Sequence, residues 1–153
     1  MKKRINPHEK GHAALKAFNS FGMYFSKATV EQKLLNLIYF RVSQINGCAF
    51  CLDMHSKDLR LKGETEQRLY MLDAWKETSI YSARERAALA WAEEVTKING
   101  GQVPDKVYEE ALTQFNEDEL IELTAAVIAI NGYNRVNIAF SVPSGHYDPA
   151  HAW

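Results

Sequence analysis

The strongest constraint on the fold is a helical repeat of apolar residues that ends in a recurring tripeptide. Residues 30–45, VEQKLLNLIYFRVSQI, place apolar side chains every three or four positions. That spacing predicts a largely buried helix, with Thr29 as its N-cap. The helix should stop at Asn46-Gly47, and the Ile-Asn-Gly ending recurs at residues 98–100 and 130–132. Because glycine readily adopts the left-handed conformation found just past helix ends, these endings predict a helix-rich chain.

The rest of the chain carries further helix signals. Ser82 and Glu85 have the spacing of a capping box, and Pro104 is suited to opening a short helix. Helices are predicted over residues 49–62, 64–75, 82–98, from Pro104 to Leu112, and from a cap at Asn116–Glu119 to about Phe140. No alternating run predicts a strand, so the expected fold class is all-α, a single-domain helical fold of about seven or eight helices.

The last predicted helix has an unusual composition. Its segment LIELTAAVIAI, residues 120–130, is apolar on nearly every face, which predicts a central position or a subunit contact. Gly132 is expected to bend this helix rather than end it. The expected divisions of the chain are an N-terminal segment (1–12), a helical domain (13–141) and an irregular C-terminal tail (142–153).

The overall composition narrows the range of partners. The 153 residues include 18 basic and 19 acidic side chains, for a net charge of −1, so no nucleic acid partner is expected. No run reaches the roughly 18 apolar residues that span a bilayer, and the basic start MKKR leads into no apolar signal core. The expected location is therefore cytoplasmic and away from membranes. No sequence motif calls for a cofactor.

The two cysteines of the chain lie close to a histidine. The stretch NGCAFCLDMH, residues 46–55, contains Cys48, Cys51 and His55. If Cys48 opens a helix after Asn46-Gly47, the three side chains fall within about 60° of one another on one face. A helix N-terminus lowers the pKa of a thiol, and His55 can accept the thiol proton and later protonate a leaving oxygen. In a reducing compartment such a pair is more often catalytic or metal-binding than a permanent disulfide.

Physical chemistry alone does not decide which sulfur attacks. The helix dipole favours Cys48, whereas the histidine four residues later favours Cys51. We prefer Cys51, because a nucleophile that must lose a proton gains more from an adjacent base than from a partial charge. A sulfenic acid on Cys51 could then condense with Cys48 to form a disulfide, which a separate reductant must reopen.

Two other interpretations of these residues compete with a reactive dithiol. A zinc site lacks a fourth ligand, which His8, His12, His146 or His151 could supply only from the termini. Two buried, inert cysteines are the other alternative. The sequence HEKGH, residues 8–12, matches the zinc-protease pattern, but it follows a proline, contains a glycine and lacks an apolar stripe, so no metal site is expected there. Phe50 is a candidate for lining the dithiol pocket, whereas Tyr39, Phe40, Trp75 and Trp91 are expected in the core.

The cysteine segment resembles a known family. The stretch RVSQINGCAFCLDMHSKDLR, residues 41–60, is similar to the S-Q-x-N-G-C-x-x-C-x-x-x-H pattern of the alkylhydroperoxidase D and carboxymuconolactone decarboxylase family, and residues 133–137, YNRVN, resemble its late Y-N-R-x-N segment. The resemblance implies a helical fold that assembles as a trimer or hexamer. It also implies a hydroperoxide-reducing enzyme in which Cys51 attacks, Cys48 resolves and His55 relays protons. A lipoyl-bearing or thioredoxin-like dithiol protein would recycle it.

Two departures from the family pattern concern the chemistry. Asn36 occupies the position of the relay glutamate, and an amide does not take up a proton at neutral pH. Phe50 stands where peroxidase members often carry a second histidine. Glu31 is a possible substitute for the relay carboxylate, but its spacing from Asn36 predicts that it points elsewhere. The leading prediction is a thiol-dependent peroxidase or dithiol oxidoreductase.

Two alternative functions stay open. One is a redox-responsive binding or assembly protein with little turnover, which the departures at Asn36 and Phe50 favour. The other is a carboxymuconolactone decarboxylase-like enzyme that works without thiol chemistry. The decarboxylase branch lacks the cysteine pair, so the presence of both Cys48 and Cys51 argues against the second alternative.

Overall fold

The computed structural model describes residues 4–7 and 9–151, and within them every regular element is helical. The α-helices are α1 (His12–Phe25), α2 (Gln32–Asn46), α3 (Ala49–Leu61), α4 (Glu66–Met71), α5 (Ala83–Lys97), α6 (Asp105–Leu112) and α7 (Glu117–Ala139). Short 3-10 helices cover Leu72–Glu77, Asn99–Gly101 and Pro149–His151. The predicted all-α fold class is confirmed. None of these helices is long and apolar enough to cross a membrane.

Helix α2 lies at the centre of the fold. It packs against α3, α5 and α7, so it contributes to most of the helix contacts that build the core. The fully buried side chains include Leu35, Leu37, Ile38, Leu89, Leu123 and Val127. Burying large aliphatic side chains from several helices in one cluster is what stabilises a helical domain of this size. Because α2 and α3 are consecutive, the turn between them lies against this core.

Two predicted helix caps are confirmed in detail. Ser82 accepts the N–H of Glu85, and the Glu85 carboxylate accepts the N–H of Ser82 at 2.7 Å. Asn116 and Glu119 make the same reciprocal pair at the start of α7. Each box satisfies backbone N–H groups that have no partner within the helix.

The predicted cap at Thr29 is wrong. Helix α2 begins at Gln32, and the preceding Glu31 makes no side-chain cap. The N–H of Val30 instead donates to Glu122 Oε2 of α7 at 2.7 Å. The Glu122 carboxylate thus satisfies the backbone N–H of Val30, and the Val30 side chain is buried in the core. Helix α2 therefore begins two residues later than predicted.

The three Ile-Asn-Gly segments have three different structures. Gly47 takes a left-handed conformation, φ 67°, and ends α2 as predicted. After α5, the left-handed residue at the helix end is Ile98 itself, φ 43°. Helix α7 continues through Gly132 to Ala139. A Cβ at Gly132 would collide with the ring of Phe18, so this glycine admits an aromatic side chain of α1.

Two regions differ from the predicted element boundaries. The helical domain is expected to begin at residue 13, with no individual helix assigned before Val30; α1 is present there and packs against α7. Its apolar face comes from Phe18, Phe21 and Phe25, which have helical spacing. The helix predicted over residues 64–75 is divided into α4 and a 3-10 helix, with a non-helical backbone at Ala74. The described part of the tail, residues 142–151, is irregular apart from the 3-10 turn at Pro149–His151.

Candidate dithiol site at the start of helix α3

The turn between α2 and α3 brings both cysteines to a helix N-terminus. Gly47 reverses the chain, and Cys48 is extended and forms the N-cap of α3. Its Sγ accepts the N–H of Cys51 at 3.4 Å, and the two sulfurs form a disulfide across Cα atoms 5.4 Å apart. Each cysteine is only 1% exposed. The predicted placement of Cys48 and Cys51 in the first turn is therefore found, in the oxidised state.

His55 lies one turn beyond Cys51 and is 6% exposed. The ring of Tyr39 on α2 lies over it, with 5.3 Å between ring centroids. Neither ring nitrogen of His55 has a hydrogen-bond partner among the described residues. Burial, assisted by the positive charge of Lys62, lowers the pKa of His55 from 6.5 to about 3. At neutral pH the imidazole is therefore uncharged, and one of its ring nitrogens can accept a hydrogen bond from a thiol.

Asn137 is a neighbour of the dithiol that the sequence analysis did not assign to the site. Its Nδ2 donates to Cys51 Sγ at 3.4 Å, and its Oδ1 is buried without a partner among the described residues. The side chain comes from α7 and is 7% exposed. A sequence signal for it exists, since Asn131, Asn134 and Asn137 recur every three residues and mark one polar stripe on an otherwise apolar helix.

The same stripe holds the turn against α7. Asn46 donates from Nδ2 to Asn131 Oδ1 and to Asn134 Oδ1, each at 2.9 Å. Asn134 is fully buried and donates to Ser43 Oγ at 3.0 Å. Buried amides that are paired in this way specify one relative position of two helices. The end of α2, and with it Cys48, is thus fixed relative to Asn137.

The position of the expected relay carboxylate has no acidic group. Asn36 is buried, and its Nδ2 donates to the backbone oxygen of Gln32 at 2.7 Å, within its own helix. Glu31 pairs with Arg84 at 3.0 Å at the surface, so the prediction that it points away from Asn36 is confirmed. Phe50 is half-buried in the first turn of α3, and its role in lining the pocket stays a prediction.

Of the four histidines named as extra metal ligands, His146 is the one whose side chain the structure describes. His8 lies outside the described residues, as do the side chains of His12 and His151, so the HEKGH motif is not described. His146 is exposed in the tail. Among the residues that the structure describes, no three His, Cys, Asp or Glu side chains are grouped as metal ligands.

The tail is attached to α3 through Asp53, Lys57 and Asp58. Asp53 Oδ2 accepts the N–H of Gly145 at 2.7 Å and that of Tyr147 at 3.3 Å. Lys57 donates to the backbone oxygen of Tyr147, and the Tyr147 hydroxyl donates to Asp58. Burial acts to raise the pKa of Asp53, but the bonds from Lys57, Gly145 and Tyr147 outweigh it and lower the pKa. The charged Asp53 thus anchors the tail on the cysteine helix.

Comparison with known proteins places this arrangement in a family. Residues 12–94 match the model of the carboxymuconolactone decarboxylase family, and the chain belongs to that family. It is 39% identical over 139 residues to the uncharacterised protein YdfG of Bacillus subtilis, a match that covers 91% of this chain and 95% of YdfG.

Solved structures agree with this assignment. The crystal structure of ATU0492 from Agrobacterium tumefaciens, a protein of unknown function named as a candidate antioxidant defence protein AhpD, superposes with a TM-score of 0.90. It is 36% identical and covers 95% of this chain and 100% of its own. An uncharacterised peroxidase-related protein from Silicibacter sp. TM1040 shares the fold, with a TM-score of 0.77, 22% identity, and coverage of 88% of this chain and 71% of its own.

Proposed function

We propose that the protein is a dithiol peroxidase that reduces hydroperoxides through Cys51 and Cys48, with His55 as the proton carrier. The observation that carries this proposal is the Cys48–Cys51 disulfide at the start of α3, one turn from a buried, uncharged imidazole. Membership of the family, and the naming of the similar protein ATU0492 as a candidate antioxidant defence protein, support the same chemistry.

The first step transfers one oxygen atom to sulfur. His55 accepts the proton of the Cys51 thiol, and the thiolate attacks the terminal oxygen of the hydroperoxide. An S–O bond forms while the O–O bond breaks, and the leaving alkoxide takes the proton back from His55 to become an alcohol. Cys51 is left as a sulfenic acid.

The second step closes the disulfide. The Cys48 thiolate attacks the Cys51 sulfur, the S–O bond breaks and the hydroxide leaves as water after taking up the proton that Cys48 released. Overall, one hydroperoxide and two thiols give one alcohol, one water and the disulfide. A dithiol protein of the lipoyl-bearing or thioredoxin-like class would return the pair to the reduced state by exchange. Because each cysteine is 1% exposed, that exchange requires the start of α3 to open.

A second copy of the chain is proposed as a partner. Helix α7 leaves Ile121 69% exposed and Ile128 55% exposed, on the side away from the core. Beside Ile121, a groove of about 300 Å³ between α1 and α7 is lined by Phe21, Tyr24 and Ala125. Exposed apolar side chains of this size on one helix favour self-association, which is one of the two expectations for residues 120–130, a central position or a subunit contact.

The decisive experiment is a single turnover. Fully reduced protein is mixed with one equivalent of cumene hydroperoxide, and free thiols and protein mass are followed by rapid quench. We expect loss of two thiols and two hydrogens in the parent, no fast thiol loss in Cys51→Ser, and a stable sulfenic acid in Cys48→Ser. Thiol loss no faster than that of free cysteine, or full activity in Cys51→Ser, would overturn the proposal.

A redox-responsive assembly protein is the second candidate. The burial of both sulfurs favours it, because a sealed disulfide exchanges slowly with partners. Under this function, oxidation would change the contacts made by α3 and its tail rather than consume peroxide. Light scattering of oxidised and reduced protein tests it, and identical masses would exclude a redox-controlled assembly.

A further inference from the structure

The oxidised site contains polar atoms whose hydrogen-bonding capacity is unused. Asn137 Oδ1 and both ring nitrogens of His55 are buried and unpaired among the described residues. Both side chains are more than nine-tenths buried. Buried polar atoms are nearly always paired, because desolvating them without a partner is costly. Unpaired atoms beside a reactive sulfur therefore indicate that another chemical state of the site would use them.

The amide of Asn137 is suited to every state of the adjacent sulfur. A disulfide sulfur or a thiolate can only accept a hydrogen bond, and Nδ2 already donates to Cys51 Sγ at 3.4 Å. A thiol or a sulfenic acid carries a hydrogen that it can donate, and Oδ1 of the same amide is the acceptor next to it. One neutral side chain can thus serve as donor and acceptor without a change of its own charge.

The two cysteine sulfurs accept hydrogen bonds from different kinds of donor. The Cys48 sulfur accepts the backbone N–H of Cys51, which belongs to the same short segment. The Cys51 sulfur accepts a side chain from α7, a different helix. A carboxylate in the place of Asn137 would repel a thiolate, whereas the amide N–H stabilises it.

Resting on the proposed function, we propose that Asn137 is the positioning residue of Cys51, which stabilises the attacking thiolate through Nδ2 and holds the sulfenic acid hydroxyl on Oδ1 until Cys48 attacks. Among the described residues, Cys48 Sγ accepts from the backbone N–H of Cys51 and no side chain makes the matching contact with it. It assigns a function to the last residue of the YNRVN segment, which lies 86 positions from Cys51 in the sequence.

The charged groups around Cys51 are few among the described residues. On α3 the titratable neighbours are Cys48 and His55, and the charge of Lys62 acts on His55. Tyr39 of α2 lies against His55, and burial raises the pKa of its hydroxyl, so it is uncharged. On α7, Glu122 is committed to Val30 and Tyr24. Asp53 lies on the other side of α3, bound to Lys57 and the tail.

The test measures the thiolate of Cys51 directly. In a Cys48→Ser background, the ultraviolet absorbance of the thiolate is titrated against pH, with the double variant Cys48→Ser/Cys51→Ser as the blank. We expect Asn137→Leu to lower the thiolate fraction at neutral pH about tenfold, which corresponds to a rise of about one unit in the thiol pKa. Asn137→Asp, which adds a negative charge at the same volume, should raise that pKa further.

Thr124→Val is the matched control. It removes the hydroxyl that accepts Trp91 Nε1 at 2.9 Å on the same helix, without touching the sulfur, and should leave the titration unchanged. Superimposable titrations of the Cys48→Ser parent and its Asn137→Leu variant would overturn the role of Asn137. If Asn137→Leu does not fold, the smaller neutral truncation Asn137→Ala is titrated in its place, because the added charge of Asn137→Asp raises the thiol pKa whatever the role of Asn137. Because the titration needs no peroxide, it stands apart from the turnover experiment, and either proposal can fail while the other holds.

Discussion

The ring of Tyr39 lies 5.3 Å from the ring of His55, centroid to centroid, so a side chain of α2 covers the imidazole of α3. This contact helps to bury His55, and burial is the main cause of its low pKa. The histidine beside the dithiol is therefore an uncharged base in the folded protein. Its protonation should be linked to folding.

We expect acid to destabilise the oxidised protein through His55. Its pKa is about 3 when folded and about 6.5 when unfolded, so between these values the unfolded chain binds a proton that the folded chain does not. The free energy of unfolding should therefore fall as pH decreases below 6.5, by up to about 1.4 kcal/mol per pH unit. Urea denaturation from pH 7 to pH 4 measures it.

The variant His55→Phe supplies the control for this slope. It keeps a ring in the buried position and removes the titrating group, so its stability should change little between about pH 6.5 and 4.5. Glu93, with a pKa lowered to about 2, contributes in the same direction only below its ordinary value of 4.5. If the unfolding free energy of the parent and of His55→Phe changed equally with pH between about 6.5 and 4.5, the pH dependence could not be assigned to His55.

Two helical glycines should respond to alanine with opposite signs. Gly132→Ala places a Cβ against the ring of Phe18, and overpacking of this kind costs about 1–3 kcal/mol. Gly22→Ala adds a Cβ where no other atom lies within 4 Å, and should stabilise α1 by about 0.5–1 kcal/mol. Urea denaturation of both variants measures the difference.

Truncating Phe18 should change the response at Gly132. In a Phe18→Ala background the collision is removed, so Gly132→Ala should no longer destabilise the protein. A cost that persists in that background would mean that Phe18 is not the reason for the glycine.

The carboxylate of Glu93 should be important for stability. It accepts Trp75 Nε1 and Arg41 Nε, each at 2.8 Å, and the side chains of Arg41 and Glu93 are both buried. Among the described residues, Glu93→Gln leaves the Arg41 guanidinium with only the exposed Asp73 as a charged partner, and should cost about 3 kcal/mol. The neighbouring Glu94→Gln changes the charge equally and should shift the urea midpoint far less. Similar losses in the two variants would indicate a general charge effect.

Self-association should depend on the outward face of α7. Ile121→Lys and Ile128→Lys place charges on the exposed apolar surface, and we expect each to lower the mass measured by light scattering. Leu61→Lys is the control, because Leu61 is equally exposed at the end of α3. A monomeric parent, or a mass unaffected by both α7 variants, would exclude this face as a contact between copies.

Features that depend on a few consecutive residues could be predicted from the sequence. The capping boxes at Ser82 and Asn116 and the turn at Gly47 each involve groups no more than a few positions apart. The placement of Cys48, Cys51 and His55 on one short helix has the same origin. Local geometry alone brings these side chains together, so their spacing predicted the arrangement before the fold was described.

The errors arise from contacts between distant segments. Val30 donates to Glu122, 92 positions away, and this bond displaces the cap predicted at Thr29. Asn137 reaches Cys51 across 86 positions, so its role depends on how α7 packs against α3. Helix α7 continues past Gly132 as expected, but the reason for the glycine is the ring of Phe18 on α1, which no local pattern indicates. Such relationships require the packed structure.

The sulfur of Cys48 has two duties, since it belongs to the disulfide and also caps α3 by accepting the amide hydrogen of Cys51. A thiolate is a stronger hydrogen-bond acceptor than a disulfide sulfur, so this cap should be stronger when the two cysteines are reduced than when they form the disulfide. The hydrogen bond made by the Cys51 amide should therefore change with the redox state of the pair. The NMR chemical shift of the Cys51 amide proton should report this change in the unmodified protein.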